Sequence, residues 1–265
     1  MMLKIQSLAS GSRGNCVYIG SDVAHILVDI GLSLPMLLKR FEDAKIDGES
    51  ITAIVITHEH SDHIKGVLPF MKRFKNAKLY IHADACDCFI GKIGNVDKER
   101  ICTYDSPINI EDVHVDFFEV CHDSEFCFGY TFSNEDAKIS VTTDLGRIDD
   151  DIFAKMAGSQ IVMLEANHDL VKLANNVKYP SWLKKRITSN QGHLSNSACG
   201  AACYKLNQLG VEQIILAHLS GENNSPTLAY SVVKNFLEKN GVVEGQDISI
   251  DVATQDKVGR CFCIQ

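Results

Sequence analysis

The heptad Thr57-His58-Glu59-His60-Ser61-Asp62-His63 gathers three imidazoles and the Asp62 carboxylate directly after the apolar run Ile51 to Ile56. Polar groups crowded at the end of a buried strand must be paired or must bind something. A pair of metal ions suits them. If Ile51 to Thr57 is a strand, His58 and His60 point to one side with period two, and the chain then turns so that Asp62 and His63 reach a second point nearby. An isolated His-x-His means little, because alternating histidines on a strand are common. The full His-x-His-x-Asp-His after a strand is far more specific. Glu59 lies between the ligands and faces away.

The heptad resembles the signature of the metallo-beta-lactamase superfamily, and further strand ends carry that resemblance along the chain. The run Ala24 to Val28 ends in Asp29-Ile30-Gly31, and Val113 to Cys121 stops at His122. Lys138 to Thr143 ends at Asp144-Leu145-Gly146, and Gln213 to Ala217 ends at His218-Leu219-Ser220. The resemblance implies an α/β fold, a four-layer αββα sandwich with helices outside two mixed sheets and metals at one edge. It implies one metal on His58, His60 and His122 and a second on Asp62, His63 and His218, with Asp144 bridging. Asp29 would support the histidine loop by hydrogen bonding. His168, after the apolar run Gln160 to Met163, competes with His218 for the last ligand position. His218 is favoured, since its His-x-Ser context resembles the nuclease branch.

Within the superfamily the chain resembles the YycJ/WalJ group of small bacterial proteins. The text that carries this is Leu8 to Cys16, the heptad, Leu164-Glu165-Ala166-Asn167-His168-Asp169, Gly192 to Asn196 and Ala217 to Asn224. That group implies a DNA exonuclease acting from the 5′ end, with a role in repair. Gly192-His193-Leu194-Ser195-Asn196 resembles a segment of the tRNA 3′-processing nucleases whose histidine pairs with an acidic residue and helps protonate the leaving oxygen, which makes His193 a catalytic candidate.

The chemistry can be stated from the ligands themselves. Two cations roughly 3.5 to 4 Å apart hold a bridging water and bring its pKa toward about 7. The resulting hydroxide would attack phosphorus or a carbonyl carbon, with Asp62 to orient it and His193 or a metal-bound water to protonate the leaving group. Imidazole and carboxylate ligands admit zinc, manganese or iron. A small-molecule hydrolase for a cyclic phosphodiester, thioester or lactone would use the same ligands and is the alternative reading.

Strands alternating with capped helices must position these groups. Helices are expected near Leu32 to Phe41, Ile64 to Phe74, Ala83 to Lys92 and Asp149 to Ala157. Ser195 caps one that stops before Gly210, and Ser225-Pro226 opens one that stops before Gly241. At 265 residues and 45% hydrophobic content the chain can bury a large core, and one domain over 1–265 is expected, with no inserted second domain between Asp144 and His218. No apolar stretch approaches membrane-spanning length. The N-terminus reads as a strand, without the apolar core of a secretion signal. The ten cysteines include no Cys-x-x-Cys pair, so most of them read as reduced, buried small hydrophobes of a cytoplasmic protein.

Three segments could hold a polyanion. Ser10-Gly11-Ser12-Arg13-Gly14-Asn15 offers Ser10, Ser12 and Asn15 as a phosphate cradle. Val171 to His193, read as a loop, includes Lys184, Lys185 and Arg186 beside Trp182 and no acidic residue, a composition suited to phosphodiesters and to stacking. Ser220 and Asn223 follow the last ligand. A net charge of −8 does not oppose nucleic-acid binding, because a polyanion responds to local potential.

Overall fold

The computed structural model describes residues 2–264, and its strands form two seven-stranded sheets, each mixing parallel and antiparallel pairs. The chain makes two compact units, each discontinuous in sequence. The first takes residues up to Phe117, Phe132–Ala137 and the stretch from Gln255, and the second takes Phe118–Thr131 and Lys138–Thr254.

In the first unit, β1 (Leu3–Ala9) pairs antiparallel with β2 (Cys16–Gly20), and β2 pairs antiparallel with β3 (His25–Val28). Helix α1 (Leu34–Ala44) takes Pro35 in its first turn, where the missing N–H costs nothing, and buries Leu37 and Phe41. Strand β4 (Ala53–Val55) lies parallel to β3, with Val28 opposite Val55. Two short helices follow, α2 (Ser61–Ile64) and α3 (Val67–Arg73). Strand β5 (Lys78–His82), helix α4 (Cys86–Ile93) and strand β6 (Ile101–Tyr104) extend the parallel run, while β7 (Ile108–Ile110) and β8 (Val113–Glu119) form an antiparallel hairpin.

After β9 (Phe128–Ser133), the second unit is built on β10 (Lys138–Thr142), α5 (Asp150–Met156), β11 (Ile161–Glu165), α6 (Leu170–Asn175) and α7 (Ser181–Ile187). It continues with α8 (Asn196–Gln208), β12 (Gln213–Ala217), α9 (Pro226–Lys239) and β13 (Ser249–Val252). Strands β10 to β13 are mutually parallel. The central ones read as continuous apolar runs rather than alternations, as strands covered on both faces must. Val162, Leu164, Ile214 and Leu216 pack with Cys199, Cys203 and Leu206 of α8 and Val233 and Leu237 of α9. Finally β14 (Cys261–Ile264) returns to the first unit, antiparallel to β1, so that sheet runs β14-β1-β2-β3-β4-β5-β6.

The expected caps are present: Ser195 accepts from Ala198 N and Ser225 from Leu228 N. Other boundaries move. Strand β4 spans only Ala53–Val55, not Ile51 to Thr57. The helix expected from Ile64 to Phe74 is split at Gly66, where a side chain would meet Leu32 O at 2.1 Å. The stretch Val171 to His193, expected as a loop, holds most of α6 and all of α7, because Asp169 and Pro180 each start a helical turn. All ten cysteines are free thiols, but burial holds only for Cys16, Cys127, Cys199 and Cys203, and Cys261 and Cys263 on the edge strand β14 are exposed. Among the described residues no helix is long and apolar enough to cross a membrane.

Candidate metal centre

Parallel strands bring their carboxyl ends to one edge, and the residues that follow share that edge. In the first unit β3 and β4 end in register, so Asp29 and the heptad leave the sheet side by side. Asp29 holds φ at 61°, a left-handed conformation uncommon outside glycine and asparagine. Its backbone N–H donates to Val55 O at 2.9 Å. Its carboxylate accepts from Thr57 N and Thr57 Oγ1, both at 2.8 Å, and lies 2.7 Å from His63 Nδ1. One carboxylate thus contacts both ends of the heptad.

Helix α2 begins inside the heptad, with His60 as its N-cap. The rings of His58 and His60 have centroids 4.6 Å apart, and those of His58 and His63 4.1 Å. His58 and His63 are fully buried. Thr57 Oγ1 is 3.0 Å from His58 Nδ1, and Asp62 Oδ2 lies 3.6 Å from His63 Nε2. The Ser10 to Asn15 segment closes over this group. Asn15 N donates to Asp62 O at 2.8 Å, and Asn15 Nδ2 sits 3.0 Å from His63 Nε2. Gly31 is required here, since a Cβ would lie 1.6 Å from Asp62 O. Asn15 and Ser10 are buried, whereas Ser12 is exposed.

In the second unit the register sets Thr142, Leu164 and Leu216 side by side, with Glu165 opposite Ala217. Asp144, Glu165 and His218 therefore emerge together. Asp144 and His218 hold φ at 56° and 52°. Backbone strain at strand ends is a mark of functional positions. His218 Nδ1 lies 2.8 Å from Glu165 Oε1 and 3.3 Å from Asp144 Oδ1. His193 Nδ1 lies 2.8 Å from the same Glu165 oxygen and 3.7 Å from Asp144 Oδ1. Together Asp144, Glu165, His193 and His218 form a group with the spacing of a metal site. His122 stands beside them, its ring centroid 5.1 Å from that of His193 and its Nε2 3.9 Å from Asp144 Oδ1. Its Nδ1 faces Gly192 O at 3.1 Å, and its Nε2 lies 3.0 Å from Asp123 Oδ1.

The electrostatics follow from this packing. Burial pushes the His122 pKa below the ordinary histidine value, against the pull of Asp144. Burial would do the same at His193, but the carboxylates of Glu165 and Asp144 outweigh it and leave His193 above its ordinary value. Burial alone would raise Glu165, yet the imidazoles of His193 and His218 hold it well below the usual carboxylate range. His168 is buried, its pKa pushed down to about 4 by desolvation, and neither ring nitrogen has a hydrogen-bond partner among the described residues. The structure brings His218, rather than His168, into the histidine-carboxylate group.

The outer candidates are more varied. Asn223 is buried, and its Oδ1 accepts from Asn176 Nδ2 at 2.7 Å. Ser220 Oγ accepts from Asn223 N at 3.2 Å. Lys184 Nζ donates to Ala174 O at 2.6 Å, and the Arg186 guanidinium grips Asp123 Oδ2. Lys185 is exposed. Glu165 is the residue whose role the sequence reading left unassigned. The signal was a carboxylate closing the apolar run Ile161 to Leu164, where only a paired charge survives burial.

These residues fit a metal. His63, His122 and His218 each turn Nδ1 toward a protein oxygen, the outer support that presents Nε2 of a ligating histidine to an ion.

The family model described as the beta-lactamase superfamily domain matches residues 24–219. The chain is 34% identical to the exodeoxyribonuclease YycJ of Bacillus anthracis over 252 residues, 94% of this chain and 95% of that one. It is 31% identical to the exodeoxyribonuclease WalJ of Streptococcus pneumoniae, covering 93% of each. Among solved structures, the metallo-beta-lactamase fold protein YhfI of Bacillus subtilis superposes with a TM-score of 0.74 at 15% identity over the whole of both chains, a likeness of fold.

Proposed function

The chain belongs to the beta-lactamase superfamily and is an enzyme of that hydrolase fold, and on that premise we propose that it is a metal-dependent exodeoxyribonuclease acting from the 5′ end. The observation that carries the reading is likeness along nearly the whole chain to relatives named exodeoxyribonucleases. Two divalent ions per chain, zinc, manganese or iron, are the proposed cofactors. Their proposed ligands are the sets the family resemblance implies: His58, His60 and His122 with Asp144, and Asp62, His63 and His218 with Asp144. The support of Nδ1 in His63, His122 and His218 favours ligation through Nε2.

When bound, the metals supply a water activated at neutral pH and neutralise charge on the phosphoryl group. The chain's own residues do the rest. Asp62 orients the nucleophile. His193, held through Nδ1 by Glu165, presents Nε2 and protonates the leaving oxygen. The Glu165 carboxylate favours the protonated form of His193, and Asp29 fixes the ring of His63. Ser12 and Lys185 are proposed phosphate contacts, both being exposed. Asn15, Asn223, Lys184 and Arg186 position their surroundings through the bonds they already make.

The test uses metal-depleted protein reloaded with manganese or zinc and incubated with end-labelled duplex and single-stranded DNA and RNA, with an Asp62→Ala, His63→Ala double variant as control. Metal-dependent shortening of DNA from the 5′ end, absent in the variant, is the expected result. Turnover of a small phosphodiester or thioester with no cleavage of any polymer would replace the nuclease by a small-molecule hydrolase.

A further inference from the structure

Residues 170–193 carry Lys172, Lys178, Lys184, Lys185 and Arg186 and no acidic residue, in a chain whose net charge is −8. The same stretch leaves large apolar side chains in water: Val171 is 67% exposed, Val177 97% and Trp182 66%. Apolar surface gathered in this way marks a contact site. The accompanying cations favour a polyanion over a second protein surface.

Most of those cations are already used. Lys172 Nζ donates to Asn224 O at 3.2 Å, Lys178 pairs with Glu222 at 2.9 Å, Lys184 caps Ala174 O, and Arg186 grips Asp123. The bonds of Lys172, Lys178 and Arg186 hold the stretch against the rest of the second unit, and that of Lys184 ties α7 to α6. They also bolt α7 to the histidine-carboxylate group, because Asp123 lies beside His122, and His193 N donates to Ile187 O at 2.9 Å. Lys185 is the cation of this stretch whose ammonium has no hydrogen-bond or ion-pair partner among the described residues. It stands three positions after Trp182 on α7, so the two residues share one face of the helix.

We propose that α7 is a stacking platform for unpaired bases, with Trp182 taking the face of a base and Lys185 the adjacent phosphate. The substrate is then held as a single strand beside the Asp144, Glu165, His193 and His218 group. This rests on the nuclease reading above and narrows its substrate. A base inside a duplex has both faces covered by its neighbours, so an indole in this position selects strands that are single or frayed.

Trp182 is the only tryptophan in the chain, and its emission reports the contact directly. Full-length, metal-loaded protein would be titrated with a phosphorothioate-linked oligothymidylate, which resists cleavage, and with the same strand annealed into a blunt duplex. Cleavage of an unmodified strand would be followed in parallel. The single strand should quench Trp182 and bind several-fold more tightly than the duplex. By anisotropy of a labelled strand, Trp182→Ala should weaken binding about tenfold and Trp182→Phe should restore most of it. Lys185→Ala should lower the slope of log affinity against log salt by about 0.7.

No quenching, or equal binding by wild type and Trp182→Ala, overturns the platform; if the unmodified strand is still degraded, the nuclease reading stands without it. Quenching without degradation keeps the platform and removes the nuclease. An emission shift that tracks protein concentration without nucleic acid would assign the patch to a second copy of the chain and overturn the proposal.

Discussion

Four groups converge on the Glu165 carboxylate. His193 Nδ1 and His218 Nδ1 lie 2.8 Å from Oε1, and Leu145 N and Leu194 N donate to Oε2 at 3.0 Å. The pKa shifts of Glu165 and His193 have opposite signs and opposite consequences. Glu165 is held low against the effect of burial, so its contribution to stability is present above the unfolded carboxylate value and is lost as pH falls through the folded one. His193 is held high, so its contribution is present below the unfolded histidine value and is lost as pH rises through the folded one. Both operate between about pH 4.3 and 6.5. In metal-free protein, urea unfolding of Glu165→Gln should therefore lag wild type most within that window and less near pH 8. A gap that widens from pH 6 to pH 8 would contradict the assignment. Asp29 lies 2.7 Å from His63 Nδ1. Asp29→Asn should weaken metal affinity about 10- to 100-fold, measured by competition with a chromogenic chelator.

At the scale of elements, the site is a consequence of parallel strands ending in register, and this is also why much of it was legible in the sequence. A strand end leaves a sharp trace: an apolar run that stops at Asp29, His58, Asp144 or His218. What surrounds those ends left less. Nothing local distinguishes a polar loop from two short helices, and so α6 and α7 were missed; their starts depend on Asp169 accepting from Lys172 N and on Pro180, not on a long apolar stripe. The burial of Asn15 and Asn223 was equally hidden, because each amide is claimed by a residue distant in sequence, His63 in one case and Asn176 in the other. Gly31 shows how little slack the loops have. Its Cβ position lies 1.6 Å from Asp62 O, so Gly31→Ala must displace the start of α2. We expect it to cost about 2 kcal/mol or more and to lose metal binding. Gly91, on the exposed side of α4 with nothing within 4 Å of its Cβ position, is the contrast. Gly91→Ala should stabilise by about 0.5 to 1 kcal/mol. Thermal denaturation of both variants with and without metal separates the two effects.

At the scale of the whole molecule, the histidines and carboxylates of the two groups place desolvation costs on the fold that a bound ion would offset. Asp144 and Glu165 are both buried and offer oxygens within 4.8 Å of each other, and like charges that close repel strongly where water is excluded. The fold tolerates them in part because His193 and His218 sit between them. A divalent cation would satisfy the remainder, and binding to the native state alone stabilises by RT ln(1 + [M]/Kd). At a hundredfold excess over Kd this amounts to about 2.7 kcal/mol, which for a chain of this length raises the unfolding midpoint by about 2 to 4 °C per kcal/mol. Calorimetry of chelator-treated and reloaded protein should show that rise, and the Asp62→Ala, His63→Ala variant should show only part of it, since the donors of the second unit remain. An unfolding midpoint unmoved by manganese or zinc in the wild type would mean that these groups hold no metal, and the hydrolytic chemistry proposed for them would fall with it.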